Sequence, residues 1–119
     1  MLSEVLASKQ IKEDPESLQI WGKDWTNGLT VAPSAIVFPE TIEEVQALVS
    51  YARSESIALV PSGGRTGLSG GAVASQGEVV VSFDRMNKIL DFNPQDRLVK
   101  CEPGPVTAAL QAFAQDQGL

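Results

Sequence analysis

The chain has 119 residues, of which 43% are hydrophobic and 20% are charged. It can therefore bury one modest core. Its composition is that of neither a disordered segment nor a coiled coil. Its net charge of −6 opposes a nucleic-acid partner, because binding a polyanion requires the neutralisation of its phosphates. The absence of histidine excludes a Ser-His-Asp triad, a Cys-His pair and an ordinary zinc site within these residues, and the single cysteine, Cys101, cannot form an internal disulfide.

The first 34 residues have the least regular pattern of the chain. Leu2, Val5 and Leu6 predict one apolar face of a short helix. The start of the chain lacks the basic residues and the apolar stretch of a signal peptide, and no apolar run reaches the ~18 residues needed to cross a bilayer. Together with the single cysteine, these features predict a protein without a transmembrane segment that is cytoplasmic or peripheral on the cytoplasmic side of a membrane.

Residues 21–28 are predicted to form a loop that contains two tryptophans, Trp21 and Trp25. Either ring could serve a functional role. Packing is the favoured interpretation for both, because burial of an aromatic side chain contributes a large share of core stability.

The pattern becomes regular from residue 35. Residues 35–38 predict a short apolar strand that ends at Pro39. Thr41 and Glu44 form the sequence signature of a capping box, in which a hydroxyl and a carboxylate satisfy the free amides at a helix start. The helix that follows is predicted to run to about residue 54, with an apolar face made of Ile42, Val45, Leu48, Val49 and Ala52.

A second apolar strand is predicted at residues 57–60, ended by Pro61. A strand, a helix and a strand within so few residues predict a βαβ unit whose two strands run parallel.

Three more strands and one more helix are predicted after a glycine-rich loop. The strands are expected at residues 79–83, 89–92 and 98–102, separated by turns at 85–88 and 93–96, and the helix at residues 106–113 with Gly118 as its C-terminal cap. In the strand that contains it, Cys101 is interpreted as a small buried side chain rather than a reactive thiol. The predicted fold class is therefore α+β, beginning with the βαβ unit.

The most informative stretch is the glycine-rich loop at residues 61–71, where five of the nine residues from 63 to 71 are glycine. Successive amides in such a turn can form a concave nest for anionic oxygens. Ser62, Thr66 and Ser69 add hydroxyl donors, and Arg65 adds a positive charge. A pyrophosphate fits this set of donors. The alternative is a flexible exposed loop, which is disfavoured because the stretch directly follows a strand of a βαβ unit, where α/β folds place ligands.

Neither of the two common nucleotide loops fits these residues. The loop has no lysine, which a Walker A motif requires, and no three of its glycines have the spacing of the Rossmann fingerprint. A different kind of dinucleotide site is therefore expected.

Four stretches together resemble the FAD-binding domain of the vanillyl-alcohol oxidase type, also called the PCMH type. They are residues 39–45 (PETIEEV), 60–71 (VPSGGRTGLSGG), 84–89 (DRMNKI) and 102–104 (EPG), in the order in which the family has them. The family includes D-lactate dehydrogenases, FAD-linked glycolate oxidases and D-2-hydroxyglutarate dehydrogenases. The resemblance covers about residues 33–119, and residues 22–25 and 32–39 look most like the bacterial D-2-hydroxyglutarate dehydrogenases.

The resemblance implies a set of cofactor-binding residues, mostly acting through the main chain. They are Pro39, Pro61, Ser62, Gly63, Gly64, Arg65, Thr66, Gly67, Ser69, Gly70, Pro103 and Gly104. Residues 62–67 would wrap the FAD pyrophosphate, Ser69 and Gly70 would lie nearer the flavin, and the prolines and Gly104 would form part of the cofactor wall. Met86 and Asn87 are interpreted as a structural turn.

Some relatives attach FAD covalently through a histidine in this loop. Arg65 stands at the matching position, so noncovalent FAD is implied. Relatives often have glycine there, and the Arg65 side chain is expected either to pair with a phosphate or to face solvent.

The resemblance further implies oxidation of a D-2-hydroxy acid by hydride transfer to the flavin. D-2-hydroxyglutarate is the favoured small-molecule substrate, with D-lactate and glycolate next, and a quinone or an electron-transfer flavoprotein is the expected acceptor. No catalytic residue or metal ligand is recognised here, since the family carries these groups in later parts of the chain.

The expected organisation is an N-terminal extension at residues 1–34 and the first part of a FAD-binding domain at residues 35–119, within a fragment of a longer protein. Homodimerisation is left open. Two alternatives also stay open, a non-redox nucleotide- or anion-binding module and an interaction domain with a flexible glycine loop.

Overall fold

The computed structural model describes residues 1–119 and contains six β-strands and three α-helices. The strands are β1 (Ile11–Lys12), β2 (Ala35–Val37), β3 (Leu59–Ser62), β4 (Val79–Ser82), β5 (Ile89–Asn93) and β6 (Leu98–Cys101), and the helices are α1 (Pro15–Trp21), α2 (Ile42–Ser54) and α3 (Thr107–Asp116). Two short 3-10 turns, Leu2–Glu4 and Ser8–Gln10, precede β1. This mixture confirms the predicted α+β class.

The main sheet has four strands in the order β1-β2-β4-β3. Strands β2, β4 and β3 run parallel, and β1 pairs with β2 in the antiparallel direction. The predicted parallel orientation of the two strands that flank α2 is confirmed. They are not neighbours, however, because β4 pairs with both of them.

Both faces of this sheet are covered. On one face Val37 and Val81 pack with Leu48 of α2 and with Leu6 from the N-terminal segment. On the other face Ile36, Phe38 and Val80 pack with Ala74 and receive Leu18 and Trp21 from α1. Burial on both faces explains why β2 and β4 are continuous apolar runs rather than alternating ones.

Helix α2 begins where the capping signature predicts. The Thr41 hydroxyl accepts a hydrogen bond from the Glu44 amide at 3.1 Å. The Glu44 carboxylate accepts from the Glu40 amide at 2.7 Å and from Nε2 of the buried Gln10 at 2.8 Å, so the cap also holds the N-terminal segment.

The predicted apolar face of α2 is only partly buried. Leu48 and Ala52 are buried, whereas Ile42 and Val49 are 62% and 51% exposed. Of the predicted apolar face, Leu48 is the residue that joins the core cluster against the sheet.

Three features of the N-terminal segment differ from the sequence prediction or were missing from it. The predicted first helix is a single 3-10 turn, and β1 and α1 were not predicted. Both are too short to show a hydrophobic period. Helix α1 nevertheless carries local start signals, since Asp14 accepts from the Ser17 amide at 2.9 Å and Pro15 occupies its first position.

Pro61 does not end its strand, contrary to the prediction. It lies within β3, opposite Val81 of β4. Because β3 is an edge strand with only one neighbour, a residue without an amide proton can be accommodated there.

The last three elements form a separate unit. Strands β5 and β6 pair as an antiparallel hairpin, and Phe92 packs edge-to-face on Phe113 of α3 with ring centroids 5.4 Å apart. Gly118, at φ +76°, ends α3 in a Schellman motif, which confirms the predicted cap. Cys101 is half-buried rather than enclosed. None of the helices has the length and apolar character needed to cross a membrane.

Candidate functional site

The glycine-rich loop leaves the main sheet at its carboxyl edge. It follows β3, and the segments that follow β2 and β4 begin at the same edge because the three strands are parallel. This edge therefore brings Pro39, the loop and Asp84 together, as is usual for ligand sites of open α/β sheets. Gly104 reaches the same edge, because its amide donates to the Met86 carbonyl at 2.8 Å.

The loop backbone has an asymmetric pattern of hydrogen bonds. Its carbonyls at Gly63, Gly67 and Gly70 accept from the Arg65 side chain, the Trp25 amide and the Val73 amide respectively. No amide from residue 63 to residue 69 donates to an acceptor within the chain. Seven consecutive amide donors are thus available, and such a row is the chemical requirement of an anion-binding nest.

The glycines of the loop differ in what surrounds them. A Cβ added at Gly63 or Gly71 would meet no atom within 4 Å, and one at Gly64 would meet only the Thr66 hydroxyl at 4.0 Å. None of these three has a positive φ. Neither packing within the chain nor backbone conformation therefore requires glycine there, whereas close approach of an external group would.

Gly70 and Gly104 are required by the chain itself. Gly70 has φ +77°, and its Cβ would lie 2.8 Å from Leu29 Cδ1. A Cβ on Gly104 would lie 1.9 Å from the Phe83 carbonyl oxygen. Gly104, which the resemblance places in the cofactor wall, is thus a tight backbone contact that joins the hairpin unit to the end of β4.

The Arg65 side chain is held within the chain rather than facing open solvent, and its pairing with a phosphate stays a prediction. Its guanidinium donates to both carboxylate oxygens of Asp84, at 2.9 and 3.3 Å, and lies 5.8 Å from the centroid of the Trp21 ring. Trp21 Nε1 donates to the same carboxylate at 2.9 Å. Burial works to raise the pKa of the Asp84 carboxyl, but the hydrogen bonds from Arg65 and Trp21 outweigh it and hold that pKa below its usual value.

This pairing has a consequence for the charge of the site. The arginine charge is balanced by Asp84, so an anion at the loop would be attracted mainly by neutral main-chain amides. The backbone of Arg65 is in the left-handed region at φ +58°, which turns the loop at this residue.

Residues 24–26, which we call the strap, lie beside the second half of the loop. The Trp25 amide donates to the Gly67 carbonyl at 3.0 Å, and the Thr26 hydroxyl accepts from the Gly70 amide at 2.8 Å. Sequence reasoning did not identify Asp24 and Thr26 as site residues. An Asp-x-Thr sequence that forms an Asx turn was the available local signal.

The interpretation of the two tryptophans as packing residues is right only for Trp21, which packs edge-to-face on Phe38. Trp25 is 67% exposed. Its main chain contacts the loop while its ring does not pack within this chain.

The remaining sequence-predicted residues have varied environments. Ser62 is fully buried, and its hydroxyl has no hydrogen-bond partner within the chain. Thr66 and Ser69 are exposed on the loop, and Pro103 is exposed beside Gly104. Pro39 is fully buried and supports the carboxyl edge from within, without offering a surface. Met86 is buried and Asn87 bonds to the Asp84 carbonyl at 3.2 Å, as a structural turn requires.

A dinucleotide pyrophosphate fits this donor set. The row of available amides, the three glycines with open space beside them and the flanking hydroxyls of Thr66 and Ser69 are all at the loop. The loop could therefore hold the pyrophosphate of FAD through its main chain.

Comparison with known proteins gives curated relatives over nearly the whole chain. A D-2-hydroxyglutarate dehydrogenase of Stutzerimonas stutzeri (strain A1501) is 61% identical over 92% of this chain and 24% of its own length. One from Xanthomonas citri pv. viticola is 47% identical over 99% of the chain and 25% of its length. A D-lactate dehydrogenase of Anaerostipes hadrus is 37% identical over 97% of this chain and 23% of its own length. The chain thus spans about a quarter of the length of these relatives.

Solved structures share the fold. The 4-ethylphenol oxidase from Gulosibacter chungangensis superposes with a TM-score of 0.83 at 29% identity, over 98% of this chain and 23% of that one. p-Cresol methylhydroxylase superposes with a TM-score of 0.81 at 24% identity, over 99% and 24%. These likenesses confirm the expected architecture of a vanillyl-alcohol-oxidase-type FAD domain.

The family profile described as FAD binding domain matches residues 33–119, which include the loop, the ion pair of Arg65 with Asp84, and Gly104. The chain belongs to the FAD binding domain family, and FAD is its cofactor.

Proposed function

We propose that the chain is the pyrophosphate-binding part of a FAD-dependent dehydrogenase that oxidises D-2-hydroxyglutarate. When bound, the flavin accepts a hydride from the substrate carbon. The residues of this chain hold the cofactor in place, and the groups that bind the hydroxy acid and take up its proton belong to other parts of the enzyme.

The observation that carries this proposal is that carbonyls of the glycine loop accept hydrogen bonds within the chain while most of its amides donate none. Its carbonyls accept from Arg65, Trp25 and Val73, and the amides of residues 63–69 are available to phosphate oxygens. A pyrophosphate carries its charge on several oxygens, and a row of amides can meet them without an opposing cation. The choice of D-2-hydroxyglutarate is supported by the two relatives of that name at 61% and 47% identity.

Several finer properties belong to the same proposal. FAD is held noncovalently, because the loop has no histidine and Arg65 is bound to Asp84. A quinone or an electron-transfer flavoprotein accepts the electrons, and the enzyme, whether monomer or homodimer, acts in the cytoplasm. The bacterial D-2-hydroxyglutarate dehydrogenases support this location, although plant relatives are named as mitochondrial.

The assignment of the twelve sequence-predicted residues to the cofactor is refined by their environments. The amides of residues 63–69 contact the pyrophosphate. Four other residues support the carboxyl edge rather than contacting the cofactor. Ser62 and Pro39 are fully buried, and Pro61 is part of β3. Gly104 is enclosed by backbone atoms. Gly70 sets the turn that leads toward the flavin, and Pro103 lies at the rim.

The test is made on the full-length protein that carries this chain. We expect the purified protein to show a flavin absorbance band that bleaches on anaerobic addition of D-2-hydroxyglutarate, with D-lactate and glycolate added separately for comparison. Denaturation should release the flavin, as noncovalent binding requires. Bleaching by D-lactate alone would assign the substrate to the class of the Anaerostipes hadrus relative instead.

A colourless protein that also fails to take up added FAD would contradict the proposal. The surviving interpretation would then be a non-redox module that binds an anion or another nucleotide at the same loop.

A further inference from the structure

The strap, residues 24–26, lies outside the part of the chain that the family profile matches, yet it contacts the loop at two points. The Trp25 amide bonds to the Gly67 carbonyl at 3.0 Å, and the Gly70 amide bonds to the Thr26 hydroxyl at 2.8 Å. These two bonds lie on either side of the available amides of Leu68 and Ser69. The strap therefore fixes both ends of that short segment.

Asp24 fixes the strap itself. Its residue surface is only 7% exposed, and its carboxylate accepts from the Thr26 amide at 2.7 Å. Hydrogen bonds from the Thr26 side chain and amide hold the pKa of the Asp24 carboxyl below its usual value, and the Ala72 and Gly70 amides add to this effect. A nearly buried carboxylate needs such partners, so its position is closely defined.

Asp24 also lies against the loop directly. A Cβ added at Gly67 would be 3.4 Å from Asp24 Oδ2, so the carboxylate packs on the loop backbone. The first half of the loop has a separate anchor, the ion pair of Arg65 with Asp84. The second half has only the strap and the bond from the Val73 amide to the Gly70 carbonyl.

We propose that Asp24 and Thr26 are positioning residues of the FAD pyrophosphate site, which hold the amides of residues 67–69 in the orientation that a phosphate oxygen requires. Neither residue binds the cofactor through its own side chain. This inference rests on the proposed function only in assigning the loop to the FAD pyrophosphate, and it is independent of the substrate.

The experiment measures FAD affinity and folding stability in parallel. FAD is removed from the full-length protein, and its rebinding is followed by flavin fluorescence, while the urea midpoint of the apoprotein reports folding. The variants are Thr26→Val, which keeps the shape and removes the acceptor, Thr26→Ser, which keeps the acceptor, and Asp24→Ala, which removes the carboxylate that accepts from the Thr26 amide.

Two matched controls change the same chemical groups elsewhere. Thr30→Val alters an exposed threonine without hydrogen bonds through its side chain, and Asp14→Ala removes the carboxylate that caps α1. Both lie in the same N-terminal segment, and neither contacts the loop.

Thr26→Val is expected to weaken FAD binding by roughly fivefold to tenfold and Asp24→Ala by roughly tenfold to hundredfold, the effects of losing one hydrogen bond between neutral groups and one that a charged group accepts. Thr26→Ser should restore the affinity to within about threefold of wild type, and both controls should match wild type. The urea midpoint of the apoprotein with Thr26→Val should stay close to that of Thr26→Ser.

Several outcomes would overturn the inference. One is FAD affinity within threefold of wild type in a folded Thr26→Val protein. Another is equal weakening by Val and Ser, which would indicate a purely structural strap. A wild-type apoprotein that never rebinds FAD would remove the loop assignment as well. Normal FAD binding without oxidation of D-2-hydroxyglutarate would contradict only the proposed substrate.

Discussion

Gly63 and Gly104 differ in whether the chain itself excludes a side chain. Space beside Gly63 is open, and its φ is not positive, so the chain would tolerate an alanine there. Gly104 is enclosed by the Phe83 and Met86 carbonyls at 1.9 and 2.7 Å from an added Cβ. The two positions therefore separate cofactor binding from folding.

We expect Gly63→Ala to weaken FAD binding at least tenfold while changing the stability of the apoprotein by no more than about 1 kcal/mol, the usual range away from packed positions. Gly104→Ala should instead destabilise the apoprotein by roughly 3 kcal/mol or more, because backbone must move to admit the methyl group. FAD rebinding and urea unfolding measure the two effects. The interpretation of Gly63 would be wrong if its alanine variant bound FAD as tightly as wild type.

The ion pair of Arg65 with Asp84 should contribute more to stability than the surface pair of Arg85 with Glu40. The first is bidentate, half-buried and supported by Trp21, whereas the second is a single contact at 3.1 Å. A double-mutant cycle with Arg65→Gln and Asp84→Asn should give a coupling of about 1 kcal/mol or more, against less than about 0.5 for Arg85→Gln with Glu40→Gln. Equal coupling energies from urea unfolding would show that the pair of Arg65 with Asp84 stabilises the protein no more than the surface pair.

Acid should destabilise the protein partly through Asp84. Because the folded state holds the pKa of this carboxyl below its usual value of ~3.9, the unfolded chain binds more protons near that pH. The stabilisation is complete above about pH 5 and is lost as the pH falls through the folded-state pKa.

Urea midpoints measured from about pH 6 down to pH 3 should therefore fall less steeply for Asp84→Asn than for wild type. Asp116→Asn, at an exposed carboxyl near the end of α3, provides the control. If the urea midpoint of Asp84→Asn fell with pH as steeply as that of wild type, the contribution of the Asp84 carboxyl to acid sensitivity would be contradicted.

At the scale of elements, the N-terminal segment belongs to the core rather than lying outside it. Leu6 is 5% exposed within the cluster that contains Val37 and Leu48, and β1 extends the main sheet. Gln10 joins the segment to the main sheet through the Phe38 carbonyl and to α2 through Glu44. The segment is therefore an integral part of the main sheet and its core.

Leu6→Ala should cost roughly 2 to 4 kcal/mol of unfolding free energy, as expected for a leucine truncated in a packed core. Ile20→Ala, at a side chain that is 46% exposed on α1, is the matched control and should cost less than about 1 kcal/mol. Urea unfolding compares the two. Similar small losses would show that the N-terminal segment is only loosely attached.

At the scale of the whole molecule, the chain is more extended than a compact domain. Its radius of gyration is 15.8 Å, and a compact chain of this length would have about 13.5 Å. The unit of β5, β6 and α3 contains no buried residue, and several of its apolar side chains are exposed. They include Ile89, Leu90, Leu98, Val99 and Val106.

We expect the 119-residue chain alone to lose FAD on gel filtration, whereas the full-length protein should keep it in stoichiometric amount. The loop provides amides for the pyrophosphate, but the chain spans about a quarter of its relatives and offers little surface to the rest of the cofactor. The ratio of bound flavin to protein after filtration is the measurement. A stoichiometric yellow fragment would contradict this expectation.

Local sequence was sufficient to predict strands β2, β3 and β4 of the main sheet and helix α2 with its cap, and it singled out the glycine loop as the candidate site. Apolar runs such as residues 79–82 form buried strands. Thr41 with Glu44 marks a helix start through a hydrogen bond between residues that are close in sequence. The candidate site at residues 63–69 could also be selected this way, because a run of glycines after a strand is visible without coordinates.

Contacts between distant segments set the order of the strands, the edge position that admits Pro61, and the partners of Arg65 and Asp24. Arg65 meets Asp84 across 19 residues, and the strap meets the loop across about 44. Such pairings depend on where the sheet brings distant segments together, and no periodicity in the sequence indicates them. The glycine loop proposed for the pyrophosphate was predicted from local sequence, whereas the side chains that contact it were determined by the fold.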